Sequence, residues 1–156
     1  MSNRKVAIIT GSATGVGAAT ALALAERGYN VLINYSKSEA EARASDAACR
    51  AAGAETLLQR GDVASDDDCR AMVAAVIDRW GRLDALVNNA GISTFTGAAN
   101  WDVLDTEVFN RIYAVNTIGT FQMVRASAPH LKQSANAAIV NVSSIAGALG
   151  IGSAVP

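Results

Sequence analysis

The chain has 156 residues, 51% of them apolar and 17% charged, with a formal net charge of −1. That is the length of one domain and too apolar for a disordered chain. No Lys/Arg cluster marks a nucleic-acid surface, and no stretch is long and apolar enough to span a membrane. The start, Met1 to Lys5, runs straight into a strand pattern and leaves no room for a signal h-region, so a soluble cytoplasmic protein is expected. The two cysteines, Cys49 and Cys69, lie on predicted helices with no CxxC spacing, as structural thiols do in a reducing compartment. His130, the single histidine, reads as a helix-end residue, and no metal site is expected.

In chain order, Val6-Ala7-Ile8-Ile9 is a compact apolar run of the kind that forms a buried parallel strand. An Ala/Leu-rich helix follows from Val16 to Arg27 and stops at Gly28. Val31–Ile33 is the second strand, Glu39–Ala52 a polar helix stopped by Gly53, and Thr56–Gln59 a short third strand. Ser65 and Asp68 suggest a capping box for a helix from Asp66 to Trp80, closed by Gly81. The acids Asp66-Asp67-Asp68 suit its dipole and are read as a solvated cap. Ala85–Val87 is a fourth strand, and 91–100 an irregular loop. One long helix is expected from Thr106 to His130, with Pro129 tolerable near its end. Ala138–Val142 is a fifth strand, and no further element is expected from Ser143 to Pro156. This alternation predicts an α/β, doubly wound (Rossmann) parallel sheet with spatial order 3-2-1-4-5 and helices on both faces.

The turn after the first strand, Thr10-Gly11-Ser12-Ala13-Thr14-Gly15-Val16-Gly17, carries the chemistry. It follows a buried strand and opens a helix, the context a dinucleotide phosphate site requires. Gly11 can turn sharply off the strand. Gly15 and Gly17 have no side chain to block a pyrophosphate, and the amides of Thr14, Gly15, Val16 and Gly17 lie where a helix start offers N–H groups to an anion. No Gly-Lys-Ser/Thr follows, which excludes an ATP-type P-loop.

The spacing Thr-Gly-x3-Gly-x-Gly resembles the short-chain dehydrogenase/reductase family, and the resemblance recurs along the chain. Asn88-Asn89-Ala90-Gly91 matches that family's motif after the fourth strand, and Asp62-Val63 its adenine-side motif after the third. Asn116 matches its helix Asn, and Ile139-Val140-Asn141-Val142-Ser143-Ser144 its Ser-bearing strand end. The resemblance implies roles. Asp62, beside Val63, would accept from the adenine amino group, or it is a plain strand-end turn residue. Asn89, Ala90 and Gly91 would line the cofactor, while Asn88 ties neighbouring strands. Ser144 would hold the substrate oxygen for hydride transfer. Asn116 would bind a water in a proton relay, or it bonds backbone at a kink. The long helix would form a homodimer or homotetramer.

An acid at the end of the second strand would chelate ribose hydroxyls and repel a 2′-phosphate. The sequence there is Asn34-Tyr35-Ser36-Lys37-Ser38, with Tyr35 in the acidic position and Ser36 and Lys37 able to meet a phosphate. NADP is favoured over NAD, although no Arg in this segment offers the bidentate fork a phosphate prefers. Lys37 could equally be a solvated loop residue.

The family's Tyr-x-x-x-Lys proton machinery would begin immediately after Pro156. Tyr29, Tyr35 and Tyr113 do not match it. The expectation is therefore part of a longer single domain lacking the family's last strands, from an NADP(H)-dependent enzyme interconverting a small-molecule carbonyl and a secondary alcohol. The alternative is a non-catalytic dinucleotide-binding protein or sensor. A methyltransferase or flavin-binding sheet would share the fold but leave Asn88 to Gly91 and Ser144 unexplained.

Overall fold

A computed structural model describes residues 4–95 and 101–149. Five strands, β1 (Val6–Ile9), β2 (Asn30–Tyr35), β3 (Thr56–Arg60), β4 (Ala85–Asn88) and β5 (Ala138–Asn141), form one sheet in the order β3-β2-β1-β4-β5. Every neighbouring pair is parallel, with Ile8 between Leu32 and Leu86 at the centre. The expected order 3-2-1-4-5 is the one observed.

Alternate side chains of the strands feed two cores. Val6, Ile8, Leu32 and Leu86 pack with Met72, Val73, Val76 and Met123 under helices α3 (Asp66–Trp80) and α5 (Thr120–Leu131). Ala7, Ile9, Val31 and Ile33 pack with Ala21, Ala25, Ala42 and Cys49 under α1 (Gly15–Glu26) and α2 (Glu39–Ala51). All four residues of β1 are fully buried, as a strand covered on both faces must be. Each such Ile or Leu contributes about 1.5–3 kcal/mol of burial, so the central strands hold the sheet that positions the site. The thiols of Cys49 and Cys69 are buried in these cores, and burial pushes them up to about 11 and about 12. Both stay protonated and serve as small apolar fillers.

The structure corrects three expectations. The helix expected over 106–130 is interrupted: α4 (Thr106–Tyr113) passes into a wide π-helical turn at Ala114–Gly119 before α5 begins. Tertiary contacts account for it. The Asn116 amide is drawn to Ile92 on another segment, and a Cβ at Gly119 would lie 2.7 Å from Val63 Cγ2. A short helix, α6 (Ile145–Leu149), occupies part of the tail expected to lack structure. Its five residues are too few to show a period, but Ser144 supplies a local cap, accepting from Ala146 N at 3.2 Å. The capping box of α3 is half made. Ser65 Oγ accepts from Asp68 N, but the Asp68 carboxylate turns to Asp62 N at 2.8 Å, a partner six residues back. Residues 96–100 of the expected loop and 150–156 of the tail lie outside the described residues. A single 3₁₀ turn, Trp101–Val103, precedes α4.

Candidate dinucleotide site

The turn between β1 and α1 is clamped from three sides. Thr10 Oγ1 accepts from both Asn89 N and Ala90 N at 3.0 Å. Ser12 Oγ donates to Ile9 O at 2.7 Å and accepts from Asn34 N at 2.9 Å. The buried Asn34 accepts from Gly11 N with its oxygen and donates to Gly61 O with its amide nitrogen, joining three strand ends. Gly11 has φ +63°, and a Cβ there would sit 2.9 Å from Ala90 Cα. Only glycine fits that turn.

The other two glycines of the turn do different jobs. Gly15, at φ +57°, faces open space in front of the helix. Gly17 is buried, and a Cβ there would fall on Gly11 O and Asn89 Nδ2. It lets the helix close on the turn, a packing role. Thr14 precedes α1 in an extended conformation and makes no side-chain cap, and the first turn has no acidic residue. Thr14, Gly15 and Val16 are all exposed. The positive dipole end of α1 is therefore answered by no side-chain cap and no acid of the first turn.

The carboxyl ends of β4 and β5 form the second part. Asn88 Nδ2 donates to Asn141 Oδ1 at 2.9 Å, tying the two strands as expected for it. Asn89 donates its amide to Thr10 O and Gly11 O, so it braces the glycine turn. A cavity of about 550 Å³ opens beside them, lined in part by Asn89, Ala90, Gly91, Asn116 and Ser144. The Asn116 side chain grips the backbone of Ile92. Its oxygen accepts from Ile92 N and its nitrogen donates to Ile92 O, both at 2.9 Å, which pins the cavity wall. Ser144 is exposed, with its Oγ lone pair engaged by Ala146 N. Among the described residues, no tyrosine lines this cavity.

The third part lies beyond β2 and β3. Asp62 borders a small cavity of about 110 Å³ with Gly11, Val63 and Gly91. Its carboxylate accepts from Arg111 at 2.7 Å and from Ala64 N at 3.0 Å. Partial burial pushes this carboxyl up, but the Arg111 hydrogen bond, the Ala64 N–H and the charges of Arg111 and Lys37 outweigh it and hold it below the usual range. Val63 is buried core, its carbonyl accepting from Gln122. Tyr35 turns its ring to the α1–α2 core, while Ser36 and Lys37 line a separate cavity of about 380 Å³. Arg60, from outside the segment that follows β2, lines it too. It arrives from β3, 24 residues from Ser36, so no local pattern could show it. Arg111, 49 residues from Asp62, was missed for the same reason.

These surfaces fit a dinucleotide. The glycine turn leaves open space at Gly15, the start of α1 beside it carries no side-chain cap or acid, and cavities flank it at both ends. Among the described residues, no three His, Cys, Asp or Glu side chains converge as a metal site would need, and no helix is long and apolar enough to cross a membrane.

Known proteins share this arrangement. A solved structure from Burkholderia xenovorans, described as a short-chain dehydrogenase/reductase, superposes with a TM-score of 0.92 at 45% identity, covering 98% of this chain and 64% of that one. NAD+-bound xylitol dehydrogenase superposes at 0.85 with 30% identity, over 96% of this chain and 56% of that one. A 3-oxoacyl-[acyl-carrier-protein] reductase of Staphylococcus aureus is 36% identical over 156 residues, covering 96% of this chain and 60% of that protein. The chain thus spans about 60% of the length of such curated relatives. The family model for short chain dehydrogenase matches residues 5–156, the span that carries the glycine turn, the Asn89 brace and the Ser144 strand end. With motif, sheet order and matched length in agreement, this chain belongs to the short-chain dehydrogenase/reductase family.

Proposed function

We propose that the chain forms the NADP(H) site of an oxidoreductase that interconverts a carbonyl and a secondary alcohol. The observation that carries this reading is the pairing of an uncapped, acid-free α1 start with the Ser144 cavity, both at the carboxyl edge of one parallel sheet. The pyrophosphate would meet the amides of Gly15, Val16 and Gly17 beside Thr14, and Gly11 keeps the turn low enough for it. Asp62 and Val63 would receive the adenine, while Asn89, Ala90 and Gly91 form the wall toward the nicotinamide. Ser36 and Lys37, with no acid at Tyr35, favour a 2′-phosphate.

A bound nicotinamide supplies or accepts the hydride. Ser144 orients the reacting oxygen: Ala146 N–H occupies a lone pair of Oγ, which leaves the hydroxyl hydrogen to donate to the substrate. Asn116 holds Ile92 and so fixes the opposite wall. Proton transfer falls to a group that the described lining does not include. The Staphylococcus aureus relative above is named for reducing a 3-oxoacyl group, which makes a 3-oxoacyl thioester the first carbonyl to test. The α4–α5 ridge exposes Phe109, Tyr113 and Phe121, the face for a homodimer or homotetramer, to be read by sedimentation.

Fluorescence titration with NADPH tests the site, and carbonyl-dependent NADPH oxidation by the whole protein tests the reaction. Ser144→Ala should lower turnover by about 10²-fold or more, by analogy with losing an oxyanion donor, with NADPH affinity unchanged. Full turnover in that variant would sink its assigned role. NADPH binding with no turnover on any carbonyl would leave the sensor reading instead.

A further inference from the structure

We propose that Arg60, carried by β3 and not by the loop after β2, is the guanidinium that selects a 2′-phosphorylated adenosine, acting with Ser36 and Lys37. This rests on the dinucleotide reading given above.

Three links, a register pair and two hydrogen bonds, fix the end of β3 against the end of β2. Tyr35 and Arg60 are register partners, Gly61 N donates to Tyr35 O at 2.9 Å, and Asn34 Nδ2 donates to Gly61 O at 3.0 Å. Arg60 adds a fourth, its Nε donating to Ser36 O at 3.2 Å. That bond anchors the head group beside Ser36 and leaves both terminal nitrogens as donors, the fork that suits a phosphate.

The contrast with other arginines is informative. Arg43, Arg50, Arg70, Arg79, Arg82, Arg111 and Arg125 each pair with a carboxylate. Among the described residues Arg60 and Lys37 pair with none, yet both line the same cavity of about 380 Å³. The two carboxylates on its rim are engaged elsewhere: Asp62 with Arg111 and Ala64 N, Asp68 with Asp62 N. Two cations and Ser36 therefore line a space where Asp62 is neutralised by Arg111 and Asp68 is held by a backbone amide. A ribose hydroxyl needs no such charge, whereas a dianionic phosphate does.

The test compares NADPH, NADH and 2′,5′-ADP binding to the wild-type chain, Arg60→Gln and Arg60→Lys. The wild-type chain should favour NADPH. Arg60→Gln should weaken NADPH and 2′,5′-ADP about tenfold to a hundredfold, the range for a lost charged hydrogen bond, and leave NADH within about twofold and the melting temperature unchanged. Arg60→Lys should recover part of the loss, as a point charge in place of a fork. Equal loss for NADPH and NADH would show a scaffold role and overturn the proposal. An undiminished NADPH preference in Arg60→Gln would overturn it while sparing the site. Equal wild-type affinities would overturn both the selector and the NADP choice, and binding of neither nucleotide would overturn the dinucleotide reading itself.

Discussion

Helices α1 and α3 each begin at the carboxyl end of a parallel strand, and their first turns are built in opposite ways. At α3, Ser65 caps the Asp68 amide, three aspartates fill the first turn, and Asp66 pairs with Arg70 and Arg125. The positive end of the dipole is answered from within the chain. At α1 there is no side-chain cap and no acid, and glycine stands at the first and third helical positions. A capped start contributes about 1 kcal/mol of stability. Going without one, with Gly15 at the helix start facing open space, is reasonable where an anion completes the helix. One start is built for the fold and the other for a ligand.

The hardest way to break α1 is Gly17→Ala. The helix would gain propensity worth up to about 1 kcal/mol, but the new methyl would fall on the backbone Gly11 O and on Asn89 Nδ2, which is tied to Thr10 O and Gly11 O. Overpacking should win, with a net loss of about 1–3 kcal/mol. NADPH titration and thermal melts should show binding abolished and the melting temperature lowered. A melting temperature at or above wild type would refute the close-packing role. Next comes Thr14→Asp, which gives α1 the cap and the charge of α3. Stability should rise by about 0.5–1 kcal/mol, while NADPH affinity falls about tenfold through like-charge repulsion. Opposite movement of melting temperature and affinity is the signature. Parallel movement would break the comparison.

How much of this was readable in advance follows from range. The five strands, their order and the three helices ending near Gly28, Gly53 and Gly81 depend on apolar runs and punctuation, all local. The glycine turn and Ser144 were legible because short motifs carry them. The π turn at Ala114–Gly119 was not, because it answers contacts from Ile92 and Val63. Arg60 and Arg111 were invisible for the same reason: each meets its partner only after β2, β3 and α4 assemble. Asn116 and Gly17 stand out in the sequence by motif, and their surroundings add bracing and packing contacts that spacing could not show.

At α3 the comparison predicts the reverse of α1. Ser65→Ala removes the Asp68 cap and should cost about 1 kcal/mol, read from chemical denaturation, with NADPH affinity unchanged. Equal loss of affinity would mean that the two helix starts are not independent.

The smallest effect concerns pH. The hydrogen bond from Arg125 and then that from Arg70 hold the Asp66 carboxyl below its usual range. A carboxylate depressed on folding stabilises the protein above its unfolded value, about 4, and loses that contribution as pH falls through the lower folded value. Arg125→Gln should therefore soften the acid limb of the stability curve below about pH 4 and leave the neutral region nearly flat, because the pair is exposed and screened. Added salt should mimic the variant at α3. At α1, where no carboxylate answers the dipole, salt should act on NADPH affinity instead. Salt that softened the acid limb in the Arg125→Gln variant as much as in the wild-type chain would place the charge coupling outside α3.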